Sequence, residues 1–390
     1  MGDAPQLDRL GDGGGRVSAH EVKGWCPGAL RPMRSGDGLV VRVRPFGGRL
    51  RRAQADGIAT LAAAHGNGLL DLSSRGNLQI RGVTDTSLPH LIEGLRAMGL
   101  IDPSEEVESR RNILVTPFWA PGDGTEGLVS ALTDALSTPD APALPGKFGF
   151  AIDTQRSPAL QNASADIRLE RDAQGGLILV AEGMLTGKPV TQQTAVAEAM
   201  ALADWFTRAG GGARRMSALI ATGTVPKGHD TPRQAGNAAP VPGPVPAGVL
   251  VGFAFGQMRV ETLAGLAKHG SLRLTPWRLL LVENARDLPD IDGVLIDPAD
   301  PLLRITACTG APRCEQALQE TRALGRALAP HLGAGATLHI SGCTKGCAHP
   351  RPAPLTLTGQ ARGFALIHNG TAADTPIRTG LAPDELKDHI

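Results

Sequence analysis

Residues 248–285 read GVLVGFAFGQMRVETLAGLAKHGSLRLTPWRLLLVENA. They repeat residues 38–83, GLVVRVRPFGGRLRRAQADGIATLAAAHGNGLLDLSSRGNLQIRGV, element for element. Each copy runs strand, glycine turn, helix, His-Gly, strand and an arginine-bearing strand, with His65-Gly66 matching His269-Gly270. The copying continues downstream, where RNILVTPFWAP (111–121) matches LRITACTGAP (303–312) and a helical pattern follows each. A repeat of roughly 150–200 residues is far longer than a solenoid unit. It predicts an α/β (α+β) chain of two related halves about a pseudo-twofold axis, with a ligand between them.

The pattern within each copy supports this. In 38–44 Leu39, Val41 and Val43 alternate with Arg42 and Arg44, which predicts a half-buried strand. Residues 51–64 read as a helix. Residues 69–73 and 77–83 read as strands, and over 75–81 the odd positions Arg75, Asn77, Gln79 and Arg81 form a polar ladder opposite Leu78 and Ile80. The stripe Leu88, Leu91, Ile92, Leu95 and Met98 predicts a helix over 87–98, stopped by Gly99. Strands are expected at 111–118, 144–153, 167–170 and 177–182, and a helix at about 191–208. On strand 111–118, Arg110 and Arg111 cannot both point inward. Residues 225–247 are rich in Pro, Gly and Ala and read as a surface linker, while 1–24 read as a flexible lead-in.

Only the second copy carries the cysteine pairs, Cys308-x5-Cys314 and Cys343-x3-Cys347. Four thiols at this spacing can hold a [4Fe–4S] cluster, hold zinc, or form disulfides; x5 is wide for a zinc knuckle. The fifth cysteine, Cys26, has no partner in sequence and reads as a packed thiol. His65, His269, His339 and His349 are candidate iron ligands, none with 2-His-1-carboxylate spacing. A net charge of +1 argues against bulk nucleic-acid binding. No apolar run reaches the ~18–20 residues of a membrane span, and the opening residues are neither signal nor transit peptide, so the cytosol is the expected compartment. Residues 31–52 hold seven arginines against one acid, Asp37, which suits a polycarboxylate ligand. Gly122-x-Gly124-x-x-Gly127 fits the dinucleotide expression but has no acidic residue closing a second strand, so an external donor is expected to deliver electrons.

The duplicated chain with C-x5-C…C-x3-C in its second half resembles the sulfite/nitrite reductase haemoprotein family. The resemblance covers nearly the whole chain from about residue 25. It implies ferredoxin-like halves at 25–105 and 248–300, a reductase-like α/β domain at 106–224 and an iron–sulfur α/β domain at 301–390. It also implies a [4Fe–4S] cluster on Cys308, Cys314, Cys343 and Cys347, the last bridging to the iron of sirohaem. The family's T-x-R-x-x-x-Q element is similar to Ser73-Ser74-Arg75-Gly76-Asn77-Leu78-Gln79, and its R-N strand to Arg111-Asn112-Ile113. Its K-x-K pair falls on Lys147 and Gly149, so one cationic clamp for a tetrahedral oxyanion is missing.

A narrower similarity lies in Gly24-Trp25-Cys26-Pro27-Gly28 and Pro32-Met33-x-Ser35-Gly36-Asp37-Gly38-Leu39. These residues resemble the N-terminal signature of the precorrin-3B synthase family, the branch working in aerobic cobalamin synthesis. That resemblance implies a monooxygenase taking precorrin-3A, O2 and NADH-derived electrons, with a [4Fe–4S] cluster and a mononuclear non-haem iron in place of sirohaem. Arg75, Arg111 and Lys147 become candidate catalytic residues; Arg42, Arg44, Gln79 and Arg81 join them as candidate substrate contacts. The alternatives are a sirohaem-dependent nitrite or sulfite reductase, and a non-enzymatic electron carrier or tetrapyrrole-binding protein.

Overall fold

A computed structural model describes residues 27–390; the lead-in 1–24 and Cys26 lie outside the described residues. Four sheets organise the chain. In the first, Met33–Ser35, Gly38–Val43, Leu78–Val83 and Leu69–Leu72 run antiparallel, and the outer strand Gln257–Arg259 comes from the second half. Its counterpart holds Gly243–Val245, Gly248–Val251, Leu280–Glu283 and Leu272–Leu274, closed by Arg49–Leu50 from the first half. Each half thus lends a short strand to the other. The helices Arg52–His65 and Val260–Ala267 pack together beneath them. One apolar core runs through both halves, from Val41, Ile58 and Leu70 to Val249, Leu263 and Leu272. Burying one face of each sheet against a shared helix layer welds the halves together.

The other two sheets also share a plan. Ile113–Val115, Phe150–Asp153 and Ile167–Arg171 are parallel, and Leu177–Ala181 and Thr186–Val190 return antiparallel. Ile305–Ala307, Leu338–Ser341 and Ala353–Gly359 are parallel, and Phe364–Gly370 and Arg378–Leu381 return antiparallel. Parallel neighbours need a crossover, supplied by the helices Thr125–Ser137 and Arg322–Leu328.

The duplication reaches single torsions. Gly47 (φ 64°, ψ 14°) and Phe255 (φ 62°, ψ 14°) hold the same left-handed turn. Gly76 (φ 62°) and Arg278 (φ 61°) hold another, at the tips of equivalent hairpins. In each hairpin one hydroxyl fixes the tip: Ser73 Oγ accepts from the N–H groups of Arg75 and Asn77, and Thr275 Oγ1 from those of Trp277 and Leu279.

Several expectations need correction. Residues 225–247 are not a plain linker: Thr231–Pro232 and Gly243–Val245 are sheet-edge strands, and Arg233 pairs with the buried Glu170 at 2.7 Å. Prolines are tolerated there because edge strands need no second ladder partner. Arg111 is not on a strand; it caps the unforeseen helix Glu105–Arg110, so strand alternation says nothing about where it points. Among the described residues no helix is long and apolar enough to cross a membrane.

Candidate functional site

The cysteines sit where two parallel strands end. Cys308 follows Ile305–Ala307, and Cys343 follows Leu338–Ser341 by two residues. The loops are tied down by their own polar groups. Thr321 Oγ1 donates to the Cys308 carbonyl at 2.6 Å, Ser341 Oγ donates to the Cys343 carbonyl at 2.7 Å, and Cys314 N–H donates to the Gly310 carbonyl at 2.9 Å. The N–H of Gly342 donates to Cys308 Sγ at 3.2 Å. A Cβ on Gly342 would lie 2.6 Å from Ala317 Cβ, so the approach needs glycine.

All four thiols are free, which removes the disulfide reading for them. Burial first, then the neighbouring Cys308 and Cys314, pushes Cys343 up; a backbone hydrogen bond to Lys345 opposes this. Cys347 lies on an exposed turn, yet burial, then Cys308, Cys343 and Cys314, raise it against the pull of Lys345. The thiols therefore feel one another, but they do not converge on a single point as zinc ligands do. With a backbone amide already aimed at one sulfur, the donor set fits a polynuclear iron–sulfur cluster.

The first half docks on these loops. Gly36 N–H and Ser35 Oγ both donate to the Arg313 carbonyl, at 3.0 and 2.8 Å. Arg81 stands behind them: it pairs with Asp37 at 2.6 Å and Asp71 at 3.3 Å, and its Nη2 donates to Ser35 Oγ at 3.1 Å. Asp71 in turn accepts from Arg322 at 3.0 Å and Gln257 at 2.9 Å. Arg81 is thus a buried positioning residue between half and cluster domain, not an open substrate contact.

Most of the arginine patch is likewise committed to structure. Arg44 donates to the carbonyls of Glu108 and Pro27, Arg49 pairs with Glu283, and Arg52 reaches the carbonyls of Ala267 and Lys268. Arg42 is buried and meets Gln79 Oε1 at 2.7 Å once that amide faces it. Arg111 forms a two-pronged pair with Asp102 at 2.6 and 2.8 Å, donates to the Arg44 carbonyl and lies over Phe46. With 4% exposure, its guanidinium holds a wall of the fold.

Arg75 and Lys147 differ. Arg75 is half-buried at its hairpin tip, with a long 3.5 Å contact to Ser164 Oγ. Lys147 is half-buried and makes no hydrogen bond or ion pair among the described residues. Gly149 lies beside Arg75: a Cβ there would sit 3.8 Å from Arg75 Nη1 and 3.2 Å from the Asn112 carbonyl oxygen. The glycine in the K-x-K position therefore packs close against the Asn112 backbone and Arg75, where even a Cβ would be tight.

Two features escaped sequence reading. Arg278 lies under the second cysteine loop and donates to the Ala348 carbonyl at 3.0 Å; burial, then Arg322, lowers its pKa. Its only sequence signal is its alignment with Gly76. Arg215 reaches Ser164 at 3.1 Å and pairs with the buried Asp166.

Residues 31–98 match the family model described as the nitrite/sulfite reductase ferredoxin-like half domain. A precorrin-3B synthase from Sinorhizobium sp is 30% identical over 95% of this chain and 87% of its own length. The ferredoxin–nitrite reductase of Synechococcus elongatus is 24% identical, covering 87% of this chain and 79% of that one. Among solved structures the Mycobacterium tuberculosis NirA protein shares the fold, with a TM-score of 0.64 and 21% identity over 90% of this chain and 79% of that one.

Proposed function

The chain belongs to the precorrin-3B synthase family, and we propose that it oxidises precorrin-3A with O2, hydroxylating C20 while the ring A acetate closes a lactone. One oxygen atom enters the product; the other leaves as water with two electrons and two protons from an external donor. The 30% identity across 95% of the chain carries this reading. When bound, a [4Fe–4S] cluster on Cys308, Cys314, Cys343 and Cys347 supplies single-electron transfer, and a mononuclear non-haem iron supplies O2 binding.

The protein's own part is binding and orientation. Of the sequence-predicted cations, Arg75 and Lys147 make no ion pair among the described residues, and an arginine fork and a lysine point charge both suit carboxylates of the macrocycle. Gly149 places no second cation where the reductase resemblance expects a lysine, so the charge on that side falls to Arg75. Arg81, Arg111 and Asp71 hold the wall and the cysteine loops in register.

The deciding experiment is an absorption spectrum of anaerobically purified protein with acid–acetone extraction, joined to Arg75→Ala and Arg111→Ala. A broad cluster band without extractable sirohaem is expected. Arg75→Ala should raise KM for the tetrapyrrole with little change in unfolding midpoint. Arg111→Ala should instead cost about 3–5 kcal/mol of stability by stranding Asp102. Extractable sirohaem would move the assignment to nitrite or sulfite reduction, and an unchanged KM and kcat in Arg75→Ala would remove Arg75 from the site.

A further inference from the structure

The structure separates the four candidate histidines. His65 stacks on the exposed His90 at 6.0 Å, and His269 is exposed at the end of its helix. His339 and His349 are instead brought together, ring centroids 5.6 Å apart and planes 58° from one another. His339 is only 1% exposed, on the strand that leads into Cys343. Neither of its ring nitrogens has a hydrogen-bond partner. A buried imidazole with two empty nitrogens demands an occupant, because buried polar groups are almost always satisfied.

The duplication shows that the fold does not need a polar group there. Paired positions in the two α/β sheets, Leu114 with Ala151 and Thr306 with His339, make Ala151 the counterpart of His339. In the first half that place is apolar: Leu114, Ala151, Leu160 and Ala165 pack there, with Trp277 of the second half's hairpin tip against them. The second half keeps an imidazole and lays the Cys347–His349 turn over it: a Cβ on Gly346 would be 3.9 Å from His339 Cε1. Arg278, donating to the Ala348 carbonyl, pins the residue between Cys347 and His349.

We propose that His339 and His349 are two ligands of a single ferrous ion set beside the cysteine loops. This rests on the reading above that the chain carries iron outside its cluster. Among the described residues no group of three or more His, Cys, Asp and Glu is gathered for one ion.

The test is iron and acid-labile sulfide per chain in anaerobically purified holoprotein, with the nitric-oxide EPR signal after dithionite reduction, for wild type, His339→Gln and His349→Gln. Wild type should hold about one iron beyond its sulfide count and give the ferrous nitrosyl signal. Each variant should lose that iron and at least about tenfold of the signal, with sulfide and cluster absorbance unchanged. Excess iron and signal at wild-type level in both variants would overturn the site and leave a buried water as the occupant. Wild type with iron equal to sulfide would fail differently, by removing the second iron and the site together. If His339→Gln also loses its cluster through misfolding, His349→Gln, on its half-buried turn, decides alone.

Discussion

Where the first half ends two leading α/β strands in Thr116 and Asp153, the second ends them in Cys308 and Ser341. The backbone is shared and the chemistry is not. Asp153 is fully buried and spends one oxygen on the N–H groups of Ala159 and Leu160, which organises a loop that carries no cysteine. Ser341 holds the Cys343 carbonyl instead. The same split recurs at Ala151 against His339, Gly76 against Arg278 and Gly47 against Phe255. Around its cysteine loops the second half places a thiol, an imidazole, a guanidinium and an aromatic ring where the first has Thr116, Ala151, Gly76 and Gly47.

The largest effect expected from this comparison is at the Gly47–Phe255 pair. The Phe255 ring fills the space against the helix Arg322–Leu328, where a Cβ on Gly325 would meet it at 2.8 Å. In the first half the equivalent space is an open cavity of about 570 Å³, lined by Phe46, Gly47, Val115, Trp119 and Val129. Phe255→Ala should cost about 3–5 kcal/mol, the range for deleting a buried aromatic. Gly47→Ala meets only Val129 Cγ1 at 3.8 Å and should lose about 1–2 kcal/mol to its left-handed torsion. Denaturant midpoints of the two variants check this, and equal losses would break the argument that an aromatic ring fills this turn's space only in the second half.

The duplication and the cysteine loops were legible because both leave local patterns: alternation, a helical stripe, His-Gly, and thiols at fixed spacing. The exchanged strands Arg49–Leu50 and Gln257–Arg259 were not, since two or three residues carry no periodicity. The fate of the arginines was hidden for another reason. A guanidinium facing Asp102 or Glu283 and one facing a ligand look alike in sequence; only tertiary contacts tell Arg111 and Arg49 from Arg75. The pairing of His339 with His349 was equally invisible, because a strand and a turn ten residues apart meet only after the cysteine loop folds back.

A middle-sized effect sharpens the Asp153–Ser341 contrast through pH. Burial, before all else, lifts Asp153 to about 6, with Glu170 adding to it and the backbone N–H groups opposing. The folded state thus binds a proton more tightly than the unfolded state, whose carboxyl titrates near 3.9. The associated stability is complete below about pH 4 and is lost as pH rises through 6. Asp153→Asn mimics the protonated form, so it should gain on the order of 2–3 kcal/mol at pH 8 and nothing at pH 4. Melting curves at the two pH values check this, and a gain independent of pH would locate the effect elsewhere.

The smallest effect concerns the two hairpin tips. Arg278 holds a left-handed torsion that Gly76 holds in the other half at no cost, and the penalty for a side chain there is about 1–2 kcal/mol. Against it stands the hydrogen bond to Ala348, with a charged donor contributing roughly 1.5–3 kcal/mol. Arg278→Gly removes both and should change stability by no more than about 1 kcal/mol. Arg278→Ala removes the bond but keeps the torsion, so it should be the less stable of the two by about 1 kcal/mol. Unfolding midpoints of the two variants read this difference directly. If they coincide, the left-handed torsion at this tip carries no strain.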